Sequence, residues 1–258
     1  MSEHAIPLGE VIEYLDTFLQ VRDLPDESNA VNGLQVENRG AVDRIVAAVD
    51  ASLEAIEGAA PVGGAGGTLL LVHHGLFWDG NLPLTGRRYR RVCALLDRNT
   101  ALYSAHIPLD LHPEVGNNMV LARRLDIALE GWFGEYRGQL LGVYGGLSLP
   151  RDELVRRIEG QLTTNARLIP GGPVTTARVG VITGNGGGFI AQARAAGIDT
   201  LISGEGAHHT YFDAMELGVN VIYAGHYATE QVGVQALAQH LGLRFELPWE
   251  FHRHPTGM

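Results

Sequence analysis

The 258-residue chain predicts an α/β fold in which one α-β-(β-α)3 unit occurs twice, its sheets mixed but mainly parallel. Two observations carry this expectation. Short apolar, β-branched runs alternate with amphipathic stretches of about ten residues along the whole chain, as in strands joined by crossover helices. The order of these stretches in the first half then recurs in the second, which marks an internal repeat.

In the first half, "LGEVIEYLDTFLQ" has helical periodicity, "GLQVE" and "RIVAAVD" read as strands, and "SLEAIEGAA" as a helix. Strand "TLLLVHH", helix "YRRVCALLDR", strand "ALYSAHI" and helix "NNMVLARRL" complete the unit. The Gly-rich stretch "GWFGEYRGQLLGVYGGLSLP" reads as a join. Beyond it, "DELVRRIEGQL", "ARLIPG", "ARVGVITG", "FIAQARAAG", "TLISGE", "TYFDAMELG", "NVIYAGH" and "EQVGVQALAQHLG" repeat the same order. The expected division is 1–130 for the first α/β repeat and 131–258 for the second.

Composition narrows the chemistry. With 45% hydrophobic and 19% charged residues, the chain holds no apolar run near the roughly 20 residues of a membrane span. "MSEHAIPLGE" has no basic segment followed by an apolar one, so the expected location is the cytoplasm, with no membrane partner. Cys93 is the one cysteine, which excludes intrachain disulfides and thiolate clusters, so any metal must be held by His and carboxylate. The net charge of −10 disfavours a grip on nucleic-acid phosphates. The local exception is "GRRYRRV", where Arg87, Arg88, Arg90 and Arg91 form a basic patch whose ordinary reading is a solvated helix face.

The repeat sharpens at the fourth strand, where "YSAHIPLD" (103–110) aligns with "YAGHYATE" (223–230): Tyr, two small residues, His, and a carboxylate four positions later. "TLLLVHH" aligns with "TLISGEG", placing His73 opposite Glu205. His73 to His106 spans 33 positions and Glu205 to His226 spans 21, so the first half carries 12 more; "GLFWDGNLPLTG", 75–86, has that length and reads as a loop.

Ligands collect beyond the carboxyl ends of strands in open α/β sheets. His73, His74, His106, Asp110, Glu205, His226 and Glu230 all fall at or just past such ends. Imidazole and carboxylate suit Zn, Fe, Mn and Ni, and a bridging carboxylate is how two ions sit close together. His226 and Glu230, at i and i+4, share a helix face; for His106 and Asp110 the intervening Pro108 reads as a turn or first-turn residue. A single strand-end histidine is ordinarily a turn or cap residue. Two His–carboxylate pairs in equivalent places of a repeat favour ligation. His208 and His209 lack counterparts in the first half and read as helix-start residues. His112, His240, His252 and His254 read as surface or tail residues, with "FHRHPTGM" a frayed end. "TGNGGGF" (183–189) follows a strand, but a dinucleotide fingerprint started at Gly184 needs glycine where Phe189 stands; a turn that cradles an anion is the better expectation.

Taken together, "NGLQVE", "HHGLFW", "HIPLDLHPEVGNN", "TGNGGGFI", "ISGE" and "GHYATE", in this order across essentially the whole chain, resemble the Nif-three-like dinuclear metal centre proteins, often called type 2 GTP cyclohydrolase I. The resemblance implies two intertwined repeats, a homohexameric ring built as a trimer of dimers, and two divalent ions per chain (Fe, Zn, Mn or Ni). Carried over by position, the metal ligands would be His73, His74, Asp110, His226 and Glu230, with Glu230 as the bridge and His106 close by. The repeat alone would make His106 the equal of His226, whereas the resemblance implies His74 as the ligand and His106 as a neighbour. Members often have Thr where this chain has Ser203, which keeps the hydroxyl, and the short join leaves no room for the large middle domain that some members carry.

The leading functional expectation is a two-metal hydrolase acting on a nucleotide or related small molecule, with GTP suggested by the family name and Glu205 or His106 as the catalytic proton carrier. The alternative is a non-catalytic ring that stores or delivers metal or acts as a scaffold. A third reading, DNA binding, requires "GRRYRRV" to line a channel. Phe77 and Trp78 are candidates for a pocket wall or a subunit contact.

Overall fold

A computed structural model of the chain describes residues 5–59 and 66–257. The last residue of the expected "SLEAIEGAA" helix, Ala60, and the terminal Met258 lie outside these. The chain divides into two compact units, Met1–Leu109 with Val234–His254, and Asp110–Gly233 with Pro255–Met258.

The elements run β1 (Ile6–Pro7), α1 (Leu8–Phe18), β2 (Gly33–Val36), β3 (Ala41–Asp50), α2 (Leu53–Gly58), β4 (Gly67–His74), α3 (Gly86–Asp97), β5 (Thr100–Ser104) and α4 (Ile107–Asp110). They continue with α5 (Asn117–Arg124), β6 (Ala128–Tyr136), β7 (Gln139–Gly146), α6 (Arg151–Leu162), β8 (Arg167–Pro170), β9 (Arg178–Ile182), a 3-10 turn (Gly187–Phe189) and α7 (Ile190–Ala195). Then come β10 (Thr200–Ser203), α8 (Thr210–Leu217), β11 (Asn220–Tyr223), α9 (His226–Phe245) and β12 (Trp249–Phe251).

In the first unit β3, β4 and β5 are parallel neighbours, β2 lies antiparallel on β5, and β1 and β12 both pair with β3. In the second, β9, β10 and β11 are parallel, β8 lies antiparallel on β11, and β7 and β6 extend the other side antiparallel. The mixed α/β fold and its repeat are therefore present: three parallel strands and one antiparallel strand recur in the same order.

Local chemistry accounts for the elements. β4 is an unbroken apolar run because both faces of a central parallel strand are covered; every residue from Gly67 to His73 is buried. The buried residues of α1, Leu8, Val11 and Leu15, and of α6, Leu154, Ile158 and Leu162, follow the helical period. Ser52 caps α2 by accepting from the Ala55 N–H at 3.0 Å. Val46, Leu70, Val72 and Leu102 from the first sheet pack with Ile56 and Leu95 from its helices, while Val143, Val179, Val181 and Ile222 pack with Leu121, Leu154 and Ile158 in the second unit.

Several expectations are corrected. The Gly-rich join is a hairpin, β6 and β7, turned by Arg137 (φ +51) and Gly138 (φ +81). Its glycines make room for packing: a Cβ on Gly142 would sit 2.4 Å from Ile182 Cγ1 and 2.7 Å from Phe133 Cε1. His112 is buried, its Nδ1 accepting the N–H groups of Glu114 (3.2 Å) and Val115 (3.3 Å), because a short turn needs an acceptor there. His240 stacks on Phe18 and hydrogen-bonds Tyr14 Oη. The start of the "FHRHPTGM" end is anchored rather than frayed: β12 pairs with β3 through Phe251, and the His252 N–H donates to Ala47 O at 2.8 Å. The basic patch is only partly solvated, since Arg88 is buried and donates to Leu82 O (2.7 Å), Gly80 O (2.6 Å) and Asp79, pinning the loop before α3.

Leu70, fully buried at the centre of β4, should cost about 3 kcal/mol when replaced by alanine. Leu129→Ala on β6, where the side chain is exposed, should stay within about 0.5 kcal/mol. Urea unfolding of the two variants checks the contrast.

Candidate metal centre

The first unit gathers three imidazoles at the carboxyl ends of β4 and β5. Residues that leave a strand together are displayed at one edge, and the register sets Asp50 of β3 directly beside His74. His73 is fully buried, and its Nδ1 bonds Ala105 O at 2.9 Å. His74 Nδ1 bonds Asp50 Oδ1 at 2.9 Å, and His106 Nδ1 bonds Asp26 Oδ1 at 2.8 Å. A carbonyl and two carboxylates can only accept, so each Nδ1 donates, and Nε2 is the nitrogen that could ligate a cation. The rings are 4.8 Å (His73–His74), 5.0 Å (His73–His106) and 5.8 Å (His74–His106) apart, and one ligand atom from each lies within 4.8 Å of the others. Such spacing suits a shared cation.

Asp26 is the anchor of His106. Its Oδ2 also accepts from Asn32 Nδ2 (2.8 Å) and the Ile107 N–H (2.9 Å). Burial pushes its pKa up, but the bonds from His106, Asn32 and the Glu27 N–H outweigh that and hold it below the usual carboxylate value. Trp78 closes one side, its ring edge-on to His106 at 4.8 Å and 5.9 Å from His74. Phe77 instead faces the Arg88 guanidinium at 5.6 Å, so only Trp78 lies against the imidazoles.

The second unit places carboxylates at its own strand ends. Gly225, at φ +93, turns the chain from β11 into α9, whose first residue is His226. One turn later Glu230 is buried, with Oε2 3.1 Å from His226 Nε2, while His226 Nδ1 bonds Glu205 Oε1 at 2.7 Å. Burial pulls the His226 pKa down, yet the bonds and charges of Glu230 and Glu205 prevail and push it up to about 9. His226 Nε2 and Glu230 Oε2 thus face each other where a cation could stand. Asp110, buried and ending α4, accepts from Asn117 Nδ2 (2.8 Å) and Thr183 Oγ1 (3.5 Å), and Asn117 is fixed in turn by the Gly233 N–H at 2.7 Å. Pro108 occupies the first turn of α4, a place that suits its missing N–H.

The "TGNGGGF" segment holds this arrangement together, and several of the N–H groups expected to cradle an anion bond the protein itself. The N–H groups of Gly184, Gly186 and Gly187 go to Thr229 Oγ1, Ser203 Oγ and Glu205 O, and Gly184 O accepts from the N–H groups of Gly204 and Glu205. Gly184 must be glycine twice over: its φ is +63, and a Cβ would lie 2.1 Å from Glu230 Oε1. His208 and His209 stand exposed before α8, as expected of helix-start residues.

Each residue singled out in the sequence thus has a place: His73, His74 and His106 together in the first unit, and Asp110, Glu205, His226 and Glu230 in the second. Sequence reasoning missed Asp26, Asp50, Asn32, Asn117 and Thr183. Asp50 ends a strand beside "TLLLVHH", so the strand-end argument could have found it. Asp26 lies in a loop, and no pattern points to it.

A family model described as Duf34/NIF3 (NGG1p interacting factor 3) matches residues 6–255. The chain belongs to this family. A Deinococcus radiodurans relative named GTP cyclohydrolase 1 type 2 homolog is 44% identical, covering 96% of this chain and 94% of its own. A Halobacterium salinarum relative of the same name is 40% identical, covering 97% and 99%. Among solved structures, the ybgI protein of unknown function superimposes with a TM-score of 0.89 at 34% identity, covering 98% of this chain and all of that one. TTHA1606 from Thermus thermophilus does so at 0.84 and 37%, with the same coverage. In this NIF3-family chain, as described above, His and Glu groups stand where they could hold metal ions.

Asp26→Ala should leave His106 Nδ1, Asn32 Nδ2 and the Ile107 N–H without their acceptor and cost about 1–3 kcal/mol, read as a lowered urea midpoint. Gly184→Ala should destabilise by a similar amount, about 1–3 kcal/mol, through the left-handed backbone and the encounter with Glu230, read as a lowered Tm.

Proposed function

We propose that this NIF3-family protein is a metal-dependent hydrolase that uses two divalent ions held by His73, His74, Asp110, His226 and Glu230, and acts on a nucleotide or related small molecule. The observation that carries the reading is the outer set of acceptors. Every candidate imidazole has its Nδ1 bonded to a carbonyl or carboxylate, the arrangement that fixes ring and tautomer in metal-ligating histidines. The donor set fits: imidazole and carboxylate suit Fe, Zn, Mn or Ni. Ions held there would act as Lewis acids, polarising a substrate oxygen and lowering the pKa of water.

The chain's own groups supply the proton chemistry. His106, oriented by the Asp26 carboxylate, is placed to take a proton and pass it on. Glu205 orients His226 through one oxygen, and its half-exposed carboxylate keeps the other for proton exchange. Trp78 shields the imidazoles on one side. The relatives' name makes GTP the first nucleotide to try. We also propose a homohexamer, a trimer of dimers; the exposed Tyr211, Phe212 and Met215 on α8 are apolar surface of the kind subunit contacts cover. No helix among the described residues is long and apolar enough to cross a membrane. The inward placement of Arg88 leaves the basic patch a poor DNA surface.

Metal analysis tests the reading. Wild-type protein should carry about two ions per chain, and His73→Ala and Glu230→Ala should each lose most of them. Unchanged metal in both variants overturns the assignment. Turnover of nucleotides and phosphoesters by the loaded protein is expected; inactivity with metal bound would replace the hydrolase with a metal-storing, metal-delivering or scaffold role.

A further inference from the structure

The arginines of α3 are not absorbed by the metal centre. Arg88 has a defined task in holding the loop before the helix. Arg91, one turn further along the inward side, has none. It is partly buried, and its Nε is enclosed with no hydrogen-bond acceptor among the described residues. The carboxylates whose charge reaches it are Asp79 and Asp50, and both are engaged elsewhere: Asp79 pairs with Arg88, and Asp50 accepts from His74 Nδ1. Burial and the neighbouring Arg87 charge push the Arg91 pKa down, which marks two cations set close together whose nearby carboxylates are already shared. Such like-charge pairs at i and i+4 are unfavourable in an isolated helix.

Trp78 carries a second orphan donor. Trp78 Nε1 is buried with no acceptor among the described residues, and its ring lies 5.9 Å from His74, the imidazole that Asp50 supports. Buried N–H groups are almost always satisfied, so each of these two orphans is a place for an acceptor supplied from outside. Guanidinium groups match the oxygens of a phosphate, and their partial burial would strengthen the contact. Arg87 is mostly exposed and sits 3.9 Å from Asp79, so it can turn toward an incoming anion at small cost.

We propose that Arg91 and Arg87 form an anion-binding pair that receives a phosphate group of the substrate beside the imidazole cluster. This rests on the hydrolase reading for its purpose, but its binding step can be measured without turnover. It also narrows the substrate class to phosphorylated small molecules, held by a phosphate at the α3 side while the reacting atom lies at the imidazoles.

The probe is inorganic phosphate, titrated calorimetrically into metal-loaded protein. Wild type should bind it, Arg91→Met should weaken binding at least about tenfold, equivalent to about 1.4 kcal/mol, and Arg87→Met by a smaller factor. Metal content should not change in either. Wild-type affinity in Arg91→Met overturns the proposal, as does the absence of phosphate binding by wild type. If Arg91 only positions Asp50, Arg91→Met would lose metal and keep its phosphate affinity, which also overturns it. Should Arg91→Met fail to fold, Arg91→Lys keeps the charge without the fork and should bind several-fold more weakly; unchanged binding in both Arg91→Lys and Arg87→Met overturns the pair. His73→Ala separates the two readings: phosphate binding that survives metal loss supports an arginine site independent of the ions, whereas phosphate binding lost with the metal there assigns the anion to the ions and overturns it.

Discussion

The hydrogen bond from each imidazole Nδ1–H to a fixed acceptor is the interaction on which the arrangement depends. Ala105 O, Asp50, Asp26 and Glu205 do for four histidines what one rotamer cannot: they set the ring plane and the tautomer together. Each acceptor is itself placed by the sheet or its connections. Asp50 stands beside His74 because β3 and β4 are parallel and in register, and Ala105 follows directly on β5. A shift of one residue along β4 would exchange the faces of His73 and His74 and undo both bonds.

Duplication explains where these groups are, and divergence explains how they differ. Both units carry three parallel strands with an antiparallel fourth, so both present side chains at the same kind of edge. The first edge displays imidazoles; the second displays His226 with buried carboxylates. The aligned positions His73 and Glu205 have parted in role. One is a buried imidazole of ligand type, while the other is the outer acceptor for His226, the part that Asp50 and Asp26 play in the first unit.

The second edge is costly to build. A buried Glu230 beside His226 loses hydration, and the contact between the two side chains works against that cost. The glycines at 184 and 204 let the backbone close on these groups, and the Thr183, Thr229 and Ser203 hydroxyls satisfy what the closure buries. Divalent ions would supply the missing positive charge, so metal binding and stability are expected to be coupled.

The sequence by itself determined the fold class, the repeat, most element positions and the residues at strand ends, because periodicity and strand-end placement are local properties of the chain. It also identified His226 and Glu230 as one face of a helix, since i and i+4 spacing fixes that. It did not reveal the β6–β7 hairpin, where glycines required by Phe133 and Ile182 hide the strand alternation. Nor did it show the buried His112, the anchored β12, or the inward Arg88 and Arg91. Only the tertiary structure decided which acceptor holds which imidazole. Asp26 reaches His106 across 80 residues of sequence, and Thr183 reaches Asp110 across 73. Such pairings follow from how the strands are ordered in the sheet, and local composition carries no record of that order.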